Sequence, residues 1–317
     1  MTRERFDSYM SRANAAYYAR QDPFRDFTTA PELTQVFGEL LGGWAKVVWG
    51  LMGSPPDVML VEAGPGSGVL MADALRVFGP APVHFIETSA RLRAEQAARV
   101  PQALWHATLD EVPDRPMILF ANEFLDALPV RQFIRRPSGW MERYVEHGAY
   151  VELPADLALP EHPLESVLEI NPAALAFVNA LACRGAVALF LDYGPMESMP
   201  GESVPGESVQ AIAAGRFAEV LAAPGSADIT AHVDFPALAR AAAAAGAQVQ
   251  GPVKQNAFLT ALGLHQRTAQ LAARAPRKAR QLSLAARRLT APEAMGSLFK
   301  AMAICPKGLP SLPGFES

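Results

Sequence analysis

The stretch DVMLVEAGPGSGVLMADALRVF, residues 57–78, decides the fold. Asp57 to Val61 is a short apolar run of the kind that forms a buried strand, and Leu70 to Phe78 carries its apolar residues at helical intervals. Between them lies Glu62-Ala63-Gly64-Pro65-Gly66-Ser67-Gly68, so the unit reads as strand, glycine-rich turn, helix. The same alternation continues downstream. Val83 to Ile86 is a second strand followed by the helical RLRAEQAARV, Ala103 to His106 a third, and Met117 to Ala121 (MILFA) a fourth. Ala186 to Leu191 (AVALFL) is a fifth, and Leu298 to Ile304 (LFKAMAI) a closing strand. Alternation of this length predicts a doubly wound α/β fold, a mainly parallel sheet with helices on both faces and right-handed crossovers.

Upstream, residues 31–52 place apolar residues at helical spacing, and Thr29 with Glu32 three positions on predicts a capping box. The expected organisation is a helical amino-terminal segment, 1–52, contributing to the active site, and a catalytic domain over 53–317. Within that domain, Arg131 to Ala182 is irregular and rich in Pro, Trp and Glu, and is expected to be an inserted subdomain. The direct repeat PGESV at 200–204 and 205–209 is expected to be a duplication in a surface loop.

Composition narrows the class. Of 317 residues half are hydrophobic and 19% are charged, which excludes a disordered chain. A net charge of −4 gives no global reason to bind nucleic acid or an anionic membrane. Residues 235–292 contain nine Lys or Arg and no acid, leaving −13 on the remainder. That segment is either a partner surface or the solvated faces of alanine-rich helices. Cys183 and Cys305 are the two cysteines and exclude a disulfide framework, which suits a reducing compartment. Residues 1–10 mix Arg3, Arg5, Glu4 and Asp7 with no apolar stretch behind them, so no secretory signal is expected. The apolar run from Ala186 to Leu191 is far short of the roughly 20 residues of a membrane helix. A soluble, cytoplasmic protein is expected.

The chemistry starts at the turn. Glycines at 64, 66 and 68 let a ligand approach the backbone at a helix amino terminus, but a dinucleotide fingerprint would want its third glycine at Val69. An E-x-G-x-G-x-G turn after the first strand instead resembles the S-adenosylmethionine (SAM) enzymes of the doubly wound class. Glu87, at the end of the second strand, is placed to accept hydrogen bonds from both ribose hydroxyls of an adenosine ligand. Asp110, after the third, is a candidate neighbour of the adenine. The fourth strand ends in Asn122-Glu123-Phe124-Leu125-Asp126, and strand ends of this kind line the ligand crevice. Glu123 and Asp126 are candidates to meet a cationic acceptor; their alternative is to complement a helix amino terminus. His232 in ITAHVDF is either a proton relay or a structural histidine, and Asp192 of LDYG poses the same choice. No histidine or Cys/His cluster calls for a metal.

Eight blocks, in order, resemble the MidA-like SAM-dependent methyltransferases: AYYARQDPFRDFTTAPELTQVFGELLGGW, LVEAGPGSGVLMADALR, HFIETSARLRAEQ, ANEFLDALPVRQF, LFLDYG, PGSADITAHVDF, QNAFLTALGL and MGSLFKAMAI. The resemblance implies a Rossmann-like methyltransferase fold and SAM as cofactor. From the family's mitochondrial members it implies methylation of an arginine in a respiratory complex I subunit. It places Thr29, Pro31 and Glu32, with Glu62, Gly64, Gly66, Ser67 and Gly68, beside the cofactor, and Asn122, Glu123 and Asp126 in the post-strand motif. Tyr17 and Tyr18 match the family's paired tyrosines and either line the entrance or pack in the core. The chain departs from the family at Ala16, where a glycine is usual, and at Pro195 and Gly215, where the family has histidines. Those departures keep open a small-metabolite acceptor. A SAM-binding assembly chaperone without turnover is the non-enzymatic alternative, and nucleic-acid modification rests on the basic segment alone.

Overall fold

The computed structural model describes residues 3–20, 29–196 and 207–316. The chain divides into two compact units, one made of Met1–Phe27, Leu125–Val178 and Pro195–Arg240, the other of Thr28–Phe124, Asn179–Gly194 and Ala241–Ser317.

The second unit carries the expected sheet. Its strands are β1 (Met59–Ala63), β2 (Val83–Ile86), β3 (Leu104–His106), β4 (Met117–Asn122), β5 (Val187–Tyr193), β6 (Gln248–Lys254) and β7 (Phe299–Cys305). They lie in the order β6-β7-β5-β4-β1-β2-β3. The five strands from β5 to β3 pair in parallel, while β7 runs antiparallel to both β5 and β6. The fold is therefore the α/β class the sequence predicts, with one antiparallel strand near its edge. Central strands are buried along their whole length, β1 and β4 at every residue, which is why they read as continuous apolar runs rather than alternating ones. β6 was not expected: QVQGPVK has neither an apolar run nor strict alternation.

The helix Gln35–Leu51 packs Trp44, Phe37 and Val48 into the core of this unit, with the Trp44 and Phe120 rings 6.2 Å apart. Its Gly38 and Gly42 sit against the helix Val69–Phe78: a Cβ on Gly42 would lie 2.2 Å from the Ala74 carbonyl oxygen, and one on Gly38 2.5 Å from the Asp73 Cβ. Two glycines one helical turn apart thus let the backbones approach more closely than any side chain would allow. The expected capping box is corrected. Thr29 makes no side-chain cap, the turn Ala30–Leu33 stops at Thr34, and it is Thr34 Oγ1 that accepts the Val36 amide (3.3 Å) to start the long helix.

In the first unit the helix Phe6–Arg20 buries Phe6, Tyr9, Met10 and Ala13 with Val130, Val145 and Ile229. An antiparallel sheet orders Glu4–Arg5, Gly139–Glu146, Arg131–Arg136 and Val167–Ile170, with Ala149–Pro154 paired to Gly139–Glu146. A second sheet orders Arg216–Ala218, Gln210–Ala213 and Asp228–Thr230. The stretch 131–182 thus holds four strands and most of the helix Pro172–Cys183, and residues 1–52 are divided between the two units. Arg131 is buried between Glu142 (2.6 and 2.8 Å) and Asp156 (2.7 Å), so the sheet carries a paired charge where an apolar side chain would be usual. Residues 200–206 of the sequence repeat lie outside the described residues. No described helix is long and apolar enough to cross a membrane.

Candidate active site

The turn after β1 is built from left-handed backbone: φ is +64° at Gly64, +53° at Gly66 and +82° at Gly68. A Cβ on Gly64 would lie 2.8 Å from the Phe124 ring, and one on Gly68 3.3 Å from the Gln96 Cα. Gly68 is the amino-terminal cap of Val69–Phe78, and in that helix's first turn the Met71 amide is taken by the Glu62 carboxyl. Ser67 is buried; its hydroxyl donates to Glu32, and its carbonyl accepts the Arg99 guanidinium (2.7 Å). The segment holding Thr29, the buried Pro31 and Glu32 is thereby tied to the turn.

Glu62, the last but one residue of β1, is 2% exposed, and its Oε2 has no hydrogen-bond partner among the described residues. Burial pushes its carboxyl well above the usual carboxylate range, against one hydrogen bond from the Met71 amide. Asn122, at the end of β4, donates through Nδ2 to Glu123 Oε1 (3.1 Å), while its buried Oδ1 has no partner among the described residues. Glu123 stands in left-handed backbone, φ +50°, and its Oε1 also accepts the Ala30 amide (3.2 Å). Its own amide donates to the Leu191 carbonyl (2.9 Å), which extends the β4–β5 pairing by one residue and fixes the strand end.

Glu87 follows β2. Its Oε1 accepts the Ser89 amide (2.7 Å), its Oε2 the Gln96 side-chain amide (3.2 Å), and its backbone carbonyl the Arg93 Nε (2.7 Å). Burial raises its pKa while the Ser89 amide and Gln96 work in the other direction. Gln96 has no place among the residues the sequence points to. The helix Ala90–Arg99 presents Arg93, Gln96 and Arg99 three residues apart to Glu87, Gly66 and Ser67, and that spacing was the available signal. Asp110 is placed otherwise: its side chain is 90% exposed and faces Arg184 at 3.8 Å.

The remaining candidates lie in the first unit, apart from Asp192. Asp126 is buried, and its backbone carbonyl accepts the Ala231 amide (2.9 Å), joining the post-strand motif to ITAH. Tyr18 Oη donates to Asp228 (2.8 Å), and burial, with the charges of Asp228 and Asp126, pushes its phenol well above its usual range. Tyr17 is fully buried, its ring edge-on to Tyr18 at 5.3 Å. His232 is exposed, with its amide on Ser208 Oγ (2.8 Å). Asp234 accepts the Ala237 amide (2.9 Å) at the start of the helix Phe235–Ala244, a structural cap. Asp192, on β5 of the other unit, is fully buried and accepts the Tyr193 amide (2.9 Å).

A turn in which Gly64 and Gly68 leave little room for a Cβ, flanked by the buried Glu62 carboxyl and Asn122 Oδ1, whose open atoms have no partner among the described residues, and by a strand-end carboxylate, fits a polar nucleoside ligand. Comparison with known proteins agrees. A family model described as "Putative S-adenosyl-L-methionine-dependent methyltransferase" matches residues 40–253. The chain belongs to this family. The methyltransferase is 32% identical over 343 residues to the Mus musculus protein named protein arginine methyltransferase NDUFAF7, mitochondrial, covering 92% of this chain and 77% of that one. It is 31% identical over 356 residues to the Drosophila melanogaster homolog of that protein, covering 94% and 79%. A superfamily member from Burkholderia thailandensis, solved bound to S-adenosyl-homocysteine, superposes with a TM-score of 0.82 at 25% identity, covering 98% of this chain and 90% of that one. The protein is a SAM-dependent methyltransferase, and SAM is its cofactor. These relatives also correct the cytoplasmic location expected from the sequence, since both curated proteins are named as mitochondrial.

Proposed function

We propose that this methyltransferase modifies an arginine side chain of a protein, with a respiratory complex I subunit as the acceptor implied by the family resemblance. The observation that carries the reading is the identity of 30–32% to relatives named as protein arginine methyltransferases, over 92% of the chain for the mouse protein.

When bound, SAM supplies an electrophilic methyl group on a cationic sulfonium. In the proposal Gly64, Gly66 and Gly68 admit it to the backbone, Glu87 takes the ribose hydroxyls, and the Glu62 carboxyl and Asn122 Oδ1 hydrogen-bond its polar groups. Thr29, Pro31 and Glu32 close the turn. An arginine guanidinium is protonated at any physiological pH, so it is a poor nucleophile and is repelled by a sulfonium. Acids must hold it. We assign that role to the Glu123 carboxylate, because the Ala30 amide and Asn122 fix one of its oxygens by hydrogen bonds and leave the side chain in a single orientation. Asp126 supplies the second carboxylate of the motif. A carboxylate on the guanidinium draws its charge away from the attacking nitrogen and aligns that nitrogen for displacement. His232, exposed beside Ser208, is assigned to receive the released proton.

The test is incubation of the purified protein with SAM and arginine-bearing peptides of complex I subunits, followed by mass spectrometry for methylarginine. Methylarginine that disappears in Glu123→Gln supports the reading. SAM turnover on small amines with none on arginine would replace it with the metabolite alternative, which the Pro195 and Gly215 departures favour.

A further inference from the structure

We propose that Gln96 is a positioning residue that makes the enzyme selective for an intact ribose, by locking the Glu87 carboxylate to the glycine turn. The inference rests on the proposed role of Glu87 as the ribose acceptor.

Gln96 is completely buried in a helix whose other residues are largely polar and half-exposed. Both hydrogens of its amide are used: Nε2 donates to the Gly66 carbonyl (2.8 Å) and to Glu87 Oε2 (3.2 Å). Its Oε1 accepts the indole N–H of Trp105, on β3 (2.8 Å). An indole nitrogen only donates, so Trp105 fixes which end of the amide faces it and sends the NH2 toward the turn and Glu87. The backbone of Gln96 is equally constrained, since Gly68 approaches its Cα so closely that a Cβ would lie 3.3 Å away. One side chain therefore ties β2, β3 and the turn after β1 at the point where a nucleoside's ribose would meet them.

The position of the carboxylate depends on this tie. The Ser89 amide holds one oxygen of Glu87, and Gln96 holds the other. Both interactions favour the ionised form against burial. A ribose presents two adjacent hydroxyls, and a carboxylate already held in a single orientation accepts from both without first losing its rotational freedom. A ligand lacking one hydroxyl makes less use of that orientation, so it should depend less on Gln96.

The experiment is calorimetric titration of the full chain with S-adenosylhomocysteine and with its 2′-deoxy analogue, in wild type, Glu87→Gln, Gln96→Leu and Trp105→Phe, with far-UV circular dichroism as the folding control. Wild type is expected to bind the ribose ligand at least tenfold more tightly than the deoxy ligand. Gln96→Leu is expected to weaken the ribose ligand about tenfold and the deoxy ligand less than threefold, collapsing the preference. Trp105→Phe, which keeps Gln96 but releases its orientation, should give a smaller loss of the same kind, and it carries the test if Gln96→Leu does not fold. Equal weakening of both ligands, or a preference preserved in both variants, overturns the inference while the Glu87 reading stands. A wild type with no preference, or a preference that survives Glu87→Gln, removes the Glu87 reading and the inference with it.

Discussion

The side chain of Glu123 accepts the backbone amide of Ala30 at 3.2 Å, although ninety-three residues separate them in the chain. The contact joins the segment Thr29-Ala30-Pro31-Glu32 to the end of β4, and it holds Glu123 in a left-handed conformation that non-glycine residues adopt at a cost of about 1–3 kcal/mol. Strain of that size persists where the surroundings impose it. Here the Leu191 carbonyl, Asn122 and Ala30 together fix both the backbone and the carboxylate.

Glu123→Gln should therefore keep the fold and cofactor binding. An amide oxygen still accepts from Ala30 and Asn122, while the negative charge is lost and the second oxygen becomes a donor. Turnover should fall roughly a hundredfold or more, because the lost interaction is one that strengthens as charge moves in the transition state. Radiolabelled methyl transfer and SAM titration of the same preparation measure the two separately. Turnover equal to wild type would remove Glu123 from the chemistry.

Gly66→Val should abolish cofactor binding while leaving the secondary structure intact. A β-branched residue at φ +53° is strained by about 1–3 kcal/mol, and its side chain adds bulk to a turn otherwise made of backbone. Calorimetric titration with S-adenosylhomocysteine, beside a far-UV spectrum matching wild type, checks this. Wild-type affinity would mean that the ligand does not approach this turn.

What the sequence made legible follows from burial. β1, β4 and β5 are covered on both faces and so appear as uninterrupted apolar runs, and the glycines between β1 and its helix mark the turn without ambiguity. The strands of the other unit were not legible. Gly139–Glu146 (GWMERYVE) has charged residues along its length and is half-buried at most positions, and its buried Glu142 is neutralised by Arg131, eleven residues away. Gln96 escaped for a related reason: in the polar sequence RLRAEQAARV nothing marks the one glutamine that is buried, and its partners Gly66, Glu87 and Trp105 all lie outside that helix. Thr29 and Glu32 have capping-box spacing, but Glu32 is engaged by the Ser67 hydroxyl, so a tertiary contact displaced the local motif.

Gly42→Ala should destabilise the enzyme without touching its site. The added Cβ would sit 2.2 Å from the Ala74 carbonyl oxygen and 2.7 Å from its Cα, both backbone atoms of a helix that cannot yield locally. Forcing a methyl group into such a contact costs about 1–3 kcal/mol, occasionally more. Alanine's better helix propensity returns about 1 kcal/mol at most. Urea denaturation should show a lower midpoint with an unchanged slope. Gly43→Ala, one position along with its Cβ in ordinary contact 3.8 Å from Val77, should be neutral or slightly stabilising.

Asp73 gives the chain a pH-dependent weakness. Its side chain is buried on Val69–Phe78, and loss of water pushes its carboxyl up to about 6, Glu39 and Glu32 adding to the rise and Arg76 opposing it. An aspartate in the unfolded chain titrates near about 3.9. Between those values the folded state binds more protons than the unfolded one, so this group's contribution to stability falls as pH rises through the window and is fully lost above it. Asp73→Asn keeps an acceptor for Arg76 and removes the charge that burial penalises. The variant should match wild type near pH 4 and exceed its stability at pH 7.5 by on the order of 1–3 kcal/mol, measured as the difference in urea unfolding free energy at the two pH values. A variant less stable than wild type at pH 7.5 would show that attraction between Asp73 and Arg76 outweighs the cost of burying the carboxylate.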